Sequence, residues 1–284
     1  MKNKKLSVRV ILPVVMSVSI AACIITSMML FSYLFSSYFE KDAVEKVDRQ
    51  ISSLTQSIEK EISSVNNLVN EIYYQDIKKY DCDNAEFKTI MQQQLSNESD
   101  RINSISLYDM DGNAVWSFGD AKNISVSSKS WFKNAERNIE TIQYGRRRLV
   151  EPSLSGYVMD VSRYVEYIDH GYMKPGILLV EYYTEPIESI LERYSNQLSA
   201  YCYLMDESNN FIYHPFELRM ASGLYQEKTV SAALKSNNYI IKNINHEDWL
   251  IERKQIGYTG WNIVVVNSMS NLTIENNRFH YIIW

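Results

Sequence analysis

Leu107-Tyr108-Asp109-Met110-Asp111-Gly112-Asn113 has a counterpart later in the chain, Leu204-Met205-Asp206-Glu207-Ser208-Asn209-Asn210. Each copy reads as the apolar end of a strand, a polar turn and the start of a second strand, at Ala114 in one case and Phe211 in the other. A second pair follows in the same order: Gly176-Ile177-Leu178-Leu179-Val180 resembles Gly260-Trp261-Asn262-Ile263-Val264-Val265. Each of these is a closing strand followed by a helix. Low identity but constant order predicts two α+β modules in series, the first larger than the second.

Working outward from the first copy, residues 102–108 and 114–118 read as strands joined at Asp111-Gly112. Residues 131–137 read as a helix and 157–168 as a long strand. Asp169-His170-Gly171 turns it into a fourth strand over 176–183. Pro186 opens a helix running to about residue 194, because proline is tolerated in a first helical turn. Arg146-Arg147-Arg148 reads as a solvated loop, the rarer use of such a run being an edge that grips anions.

N-terminal to the modules, Val44, Val47, Ile51, Leu54, Ile58, Ile62, Val65, Leu68 and Ile72 recur at steps of three and four among Glu, Lys, Gln, Ser and Asn. This predicts a long amphipathic stalk helix over residues 40–80. Its stripe can pack on its own domain, on a second copy of itself, or on both in succession.

Residues 10–39 contain no charge. At about 1.5 Å per residue such a helix reaches about 45 Å, more than the hydrocarbon core of about 30 Å. Lys2, Lys4, Lys5 and Arg9 precede it, and Glu40 and Asp42 follow. The bias of positive charge predicts a cytoplasmic lead over residues 1–9, a transmembrane helix over 10–39 and an extracytoplasmic remainder. The apolar core is too long for a cleaved signal peptide. Ile20-Ala21-Ala22-Cys23 mimics a lipoprotein cleavage site, but Ile24, Ile25, Met28 and Met29 continue the apolar run where polar residues would follow. A closing helix from Met269 leads into Tyr281-Ile282-Ile283-Trp284, which reads as the onset of a second crossing.

The chain carries 29 basic and 34 acidic residues. Setting aside the four N-terminal cations leaves 25 against 34, which argues against nucleic acid and against a basic membrane-surface role. Cys23, Cys82 and Cys202 suggest neither a disulfide framework nor a metal cluster. Asp109-Met110-Asp111-Gly112 mimics a phosphotransfer signature but lacks its later lysine and acidic motif, and fits a hairpin turn. His246-Glu247-Asp248 resembles a kinase phosphoacceptor without any phosphate-cradling loop beside it. His170, His214 and His280 are dispersed, with no metal-ligand spacing. The residues predict no cofactor, no metal and no catalytic centre of their own.

In this order the elements resemble the double Cache, tandem PAS-like sensor region of bacterial transmembrane receptors. Ser130-Trp131-Phe132-Lys133-Asn134-Ala135 is similar to that family's Trp-Tyr-x-x-Ala helix, and Gly176-Ile177-Leu178-Leu179-Val180-Glu181 to its closing strand. Thr259-Gly260-Trp261 is similar to its membrane-proximal ending. Among receptors the layout looks most like YesM-type sensor histidine kinases. The resemblance implies a membrane-distal module over 81–195, a membrane-proximal one over 196–268 and an exit helix over 269–284.

It also implies a ligand pocket in the first module, at Lys129, Trp131, Phe132, Ser153, Ser155 and Glu181. Lys129 stands where amino-acid-binding members have arginine. Ser153 and Ser155 stand where they have tyrosine and aspartate, and Glu181 replaces an aspartate. An α-amino acid needs a cation for its carboxylate and carboxylates for its ammonium, and here the second side is reduced. The implied partner is therefore a small molecule, with a neutral or carbohydrate-like ligand gaining weight, or a ligand-loaded binding protein. A homodimer in the membrane is implied as well. The implied function is the input region of a receptor, a histidine kinase first. A chemoreceptor, a cyclic-dinucleotide enzyme and a self-standing anchored solute-binding protein are the alternatives.

Overall fold

The computed structural model describes residues 8–119, 125–150, 156–198, 200–230, 233 and 239–272. The chain divides into two compact units, residues 1–49 with 269–284, and residues 50–268. In the first unit, helix α1 (Val8–Glu71) begins, and side chains such as Met28, Met29 and Phe31 are exposed. Among the described residues no helix is long and apolar enough to cross a membrane. The span expected over residues 10–39 includes side chains outside the described set, at positions 10, 11, 14, 32, 35, 36 and 39. The expected exit helix lies outside the described residues beyond Leu272.

The second unit carries two antiparallel five-stranded sheets. The first comprises β1 (Ile102–Asp109), β2 (Ala114–Gly119), β3 (Gln143–Leu149), β4 (Tyr157–Asp169) and β5 (Tyr172–Tyr183), in the order β2-β1-β5-β4-β3. The second comprises β6 (Ala200–Met205), β7 (Phe211–Tyr213), β8 (Tyr239–Ile244), β9 (Glu247–Ile256) and β10 (Trp261–Ser268), in the order β7-β6-β10-β9-β8. The orders are identical once renumbered. The two matched turns are built alike. Asp109 Oδ1 accepts from Asn113 N at 2.8 Å, and Asp206 Oδ1 from Asn210 N at 2.8 Å. The left-handed position is Gly112 (φ 82°) in one and Asn209 (φ 63°) in the other, the two residue types that tolerate it.

Beyond residue 50, α1 buries Ile51, Leu54, Ile58, Ile62, Val65 and Leu68 within its own chain. Polar contacts fix it to both sheets. Arg101 Nη2 donates to Glu61 Oε1 at 2.7 Å beside β1, and Gly257 N donates to Glu59 Oε1 at 2.8 Å after β9. The helix then widens into a π-helical turn, Ile72–Ile77, which buries Asp76. Burial and the nearby Glu71 hold the Asp76 carboxyl above its usual range. Helix α2 (Ala85–Asn97) follows, capped by Asn84, whose side chain accepts from Glu86 N at 2.9 Å.

Two sequence expectations are corrected. Arg146-Arg147-Arg148 is not a solvated loop but the middle of β3. Arg147 leaves only 9% of its side chain exposed, pairing with Glu188 of α4 (Glu185–Leu198) at 2.7 Å and with Glu217 of α5 (Glu217–Ala221). Its guanidinium lies 3.4 Å from the centroid of the Tyr157 ring and 5.8 Å from that of Tyr213. The strand expected at 176–183 begins earlier, at Tyr172, because β4 and β5 pair continuously up to Asp169 and Tyr172. Cys82 and Cys202 are buried and unbridged.

Candidate functional site

Alternation along three neighbouring strands builds a polar floor on one face of the first sheet. Ser104, Glu181 and Asp160 are registered across β1, β5 and β4. One step along, Ser106, Leu179 and Ser162 follow in the same register. Ser104, Ser106 and Ser162 are buried, positions where an antiparallel sheet ordinarily places apolar side chains.

Helix α3 (Ser130–Arg137) covers this face. It buries Trp131, Phe132 and Ala135 against Tyr108, Ile177 and Leu179. Their spacing puts all three on one helical face. The Trp131 ring lies 5.6 Å from that of Tyr108 and 5.8 Å from that of Phe132. Ser162 Oγ donates to the Trp131 carbonyl at 3.1 Å, tying helix to floor. Lys129 is the N-cap residue, with no side-chain cap bond.

Glu181 is buried and densely bonded. Asn103 Nδ2 donates to its Oε2 at 2.7 Å, Ser104 Oγ donates to the same oxygen at 2.6 Å, and Arg148 pairs with its Oε1. Arg148 also reaches Asp160 Oδ1 at 3.1 Å, so one guanidinium bridges two carboxylates. Burial pushes Asp160 above the usual carboxylate range; Arg148 and then Lys129 oppose this, while Glu181 adds to it. Burial pulls Arg148 down, but Asp160 and Glu181 outweigh it and hold the cation firmly charged.

The structure thus brings Lys129, Trp131 and Glu181 to one face of the first module, with Lys129 close enough to act on Asp160. Phe132 is only 2% exposed and serves the core beneath the helix. Ser153 and Ser155 lie outside the described residues. Sequence reasoning missed Arg148, Asp160, Asn103 and Ser104. The available signal was an aspartate and three serines at inward positions of strands, with an arginine run before the aspartate. The cluster can hold a small polar molecule by exchanging Arg148 for a ligand group.

Elsewhere, Asp83, Asp169 and His170 bring three possible metal ligands together among the described residues, His170 Nδ1 lying 3.1 Å from Asp83 Oδ2. Both Asp83 and His170 are mostly exposed, an arrangement common without an ion.

The Cache domain family matches residues 35–274. No curated protein sequence matches the chain. Among solved structures, the ligand-binding domain of Campylobacter jejuni chemoreceptor Tlp3, in complex with 4-methylisoleucine, superposes with a TM-score of 0.60 at 13% identity, covering 82% of this chain and 94% of that one. The ligand-binding domain of Pseudomonas fluorescens chemoreceptor CtaA, holding L-isoleucine, gives 0.59 at 12% identity, with 84% and 98% covered. That of Pseudomonas aeruginosa amino acid chemoreceptor PctC, with GABA, gives 0.58 at 14%, with 78% and 98% covered. At this identity the likeness is one of fold.

Proposed function

This chain belongs to the Cache domain family, and we propose that it is the extracytoplasmic ligand-sensing input region of a membrane receptor, a two-component sensor histidine kinase in first place. The uncharged run at residues 10–39, with four cations before it and Lys41 set between Glu40 and Asp42 after it, supports an anchor with a cytoplasmic N-terminus. The observation that carries ligand sensing is the bridged pair Asp160 and Glu181 beside Trp131: two carboxylates on one guanidinium, under an aromatic helix.

The ligand is a small polar molecule carrying a cationic group, which takes the place of Arg148 between the carboxylates, while Lys129 meets its anionic end. Amino acids are the first class to test, because the similar chemoreceptor domains hold such molecules. A carbohydrate-like ligand has less behind it. Tyr182 and Tyr203 are among the largest fully buried side chains, so part of the tyrosine content is spent on cores.

Binding would bias two arrangements of paired chains. Moving such an equilibrium from mostly off to mostly on needs a preference of about 5 kcal/mol between them. The homodimer seam would use a face of α1 other than the Ile51–Leu68 stripe, which is already covered within the chain.

A thermal-shift screen of amino acids on the full chain tests the reading. The expected result is a ligand whose shift is lost in Glu181→Gln and in Trp131→Ala. A ligand that shifts wild type and both variants equally places the pocket elsewhere, and no ligand at all favours a protein partner. A reporter fused after Ser268 should be accessible from outside the cell; protection from outside reagents would sink the topology.

A further inference from the structure

The second module holds a cavity of about 550 Å³, within the size range of small-molecule sites. It lies on the opposite module from the Glu181 cluster and shares no residue with it. Its walls are the rings of Tyr201, Phe216, Tyr225 and Trp249. These rings do not stack. Tyr201 and Phe216 meet at 5.4 Å and 51°, Phe216 and Tyr225 at 5.0 Å and 65°, and Tyr201 and Trp249 at 6.4 Å and 64°. Rings set at such angles surround the space instead of filling it by stacking.

At its base sits Glu227, with 2% of its side chain exposed. Five donors reach its two oxygens. Thr229 gives its N–H at 2.8 Å and its hydroxyl at 2.7 Å, Tyr225 its hydroxyl at 2.9 Å and Tyr201 its hydroxyl at 3.2 Å. The fifth is His214 Nε2 at 3.1 Å. His214 Nδ1 accepts from Phe216 N at 3.1 Å, so the ring is the neutral tautomer that carries its proton on Nε2. All five donors are therefore uncharged. Although burial works against ionisation, they hold the Glu227 carboxyl at about 2, and burial pushes Tyr225 up to about 12. The base thus carries one negative charge that no donor neutralises, with two phenols polarised toward it.

Nature already places a cation at the mouth. The guanidinium of Arg219, an exposed residue of α5, lies 5.8 Å from the ring centroids of both Phe216 and Tyr225. Lys228 and Glu247 add one charge of each sign to the rim.

We propose that this aromatic box is a second ligand site, for a fully alkylated ammonium group, and that Arg219 is the plug it displaces. The walls and the uncompensated carboxylate ask for a cation. The absence of N–H on that cation follows from the donor count: a carboxylate offers about four lone-pair sites, and five donors already use them. A primary ammonium would lose its water and find no acceptor at the base, whereas a quaternary ammonium needs none.

Isothermal titration of the full chain, held in nanodiscs free of choline lipids, tests the site with choline, ethanolamine and dihexanoyl phosphatidylcholine. Choline should bind at least tenfold more tightly than ethanolamine. Trp249→Ala should weaken it at least tenfold, Arg219→Ala should tighten it severalfold, and Tyr172→Ala on the first module should change nothing. Binding of choline alone supports a free solute, and binding of the phospholipid as well supports a lipid headgroup. Equal affinity for ethanolamine overturns the proposal. So does choline binding that neither variant alters, or none in either wild type or an Arg219→Ala chain with an unchanged melting point. Failure of the amino-acid screen leaves this result untouched, because the two sites share no residue.

Discussion

The two modules share one strand order but hold charge in different ways. In the first, two buried carboxylates are bridged by a guanidinium from the neighbouring strand. In the second, a single buried carboxylate is held by neutral donors inside a ring of aromatics. The same scaffold can therefore offer a site whose charge is already met or one whose charge is left over. Topology sets where such a site sits, and side chains set what it accepts.

The largest effects should come from the two cores. Phe132→Ala and Tyr203→Ala each remove a ring that is at most 2% exposed, and each should cost about 3–5 kcal/mol. If the modules melt separately, calorimetry shows each variant moving its own transition. A single transition moved equally by both would make the pair one cooperative unit.

Acid should separate them next. Glu227 lies below its ordinary value of 4.5, so its contribution is complete above pH 4.5 and is lost as pH falls toward about 2. That loss amounts to about 3 kcal/mol. Asp160 lies above its ordinary 3.8, so protonating it favours the folded state, and the first site gains as pH falls through the raised value. Chemical denaturation between about pH 6 and 3 should show the second module weakening, and Glu227→Gln should abolish that dependence. A second module indifferent to acid would remove the distinction.

Arg148→Ala should cost the first module about 1–3 kcal/mol, because it leaves two buried carboxylates unbridged while removing a side chain that is 43% exposed. The penalty should shrink at low pH. A pH-independent loss would assign it to packing instead. The smallest test is the matched turn: Asn209→Gly should change stability by under about 0.5 kcal/mol, and Asn209→Ala should cost about 1 kcal/mol at φ 63°. Equal effects would mean that the two turns are not equivalent.

Much of the scaffold was legible because its signals are local. The Asp109 and Asp206 turns, the long strand at β4 and the stripe of α1 each depend on short-range periodicity or turn chemistry, and the structure reproduces each. Trp131 and Glu181 were reachable only through motif likeness. Arg148 and Asp160 were not, because a run of arginines has the same local appearance whether water or carboxylates surround it. Those carboxylates come from residues 12 and 33 positions away. The box around Glu227 was illegible for the same reason: its walls come from three separate segments and acquire meaning only when assembled.

Arg147 and Arg148 are consecutive, and in a strand consecutive side chains leave on opposite faces. One grips the acidic pair beneath α3; the other is fastened to Glu188 on the connecting helix and to Glu217 in the second module. A single peptide unit thus joins the acidic cluster of one module to the footing of the next. Any pull that draws the backbone at Arg148 by a fraction of an ångström is felt at Arg147 with no intervening side chain to absorb it. Along the strand the two anchor points are one residue apart, a rise of about 3.3 Å.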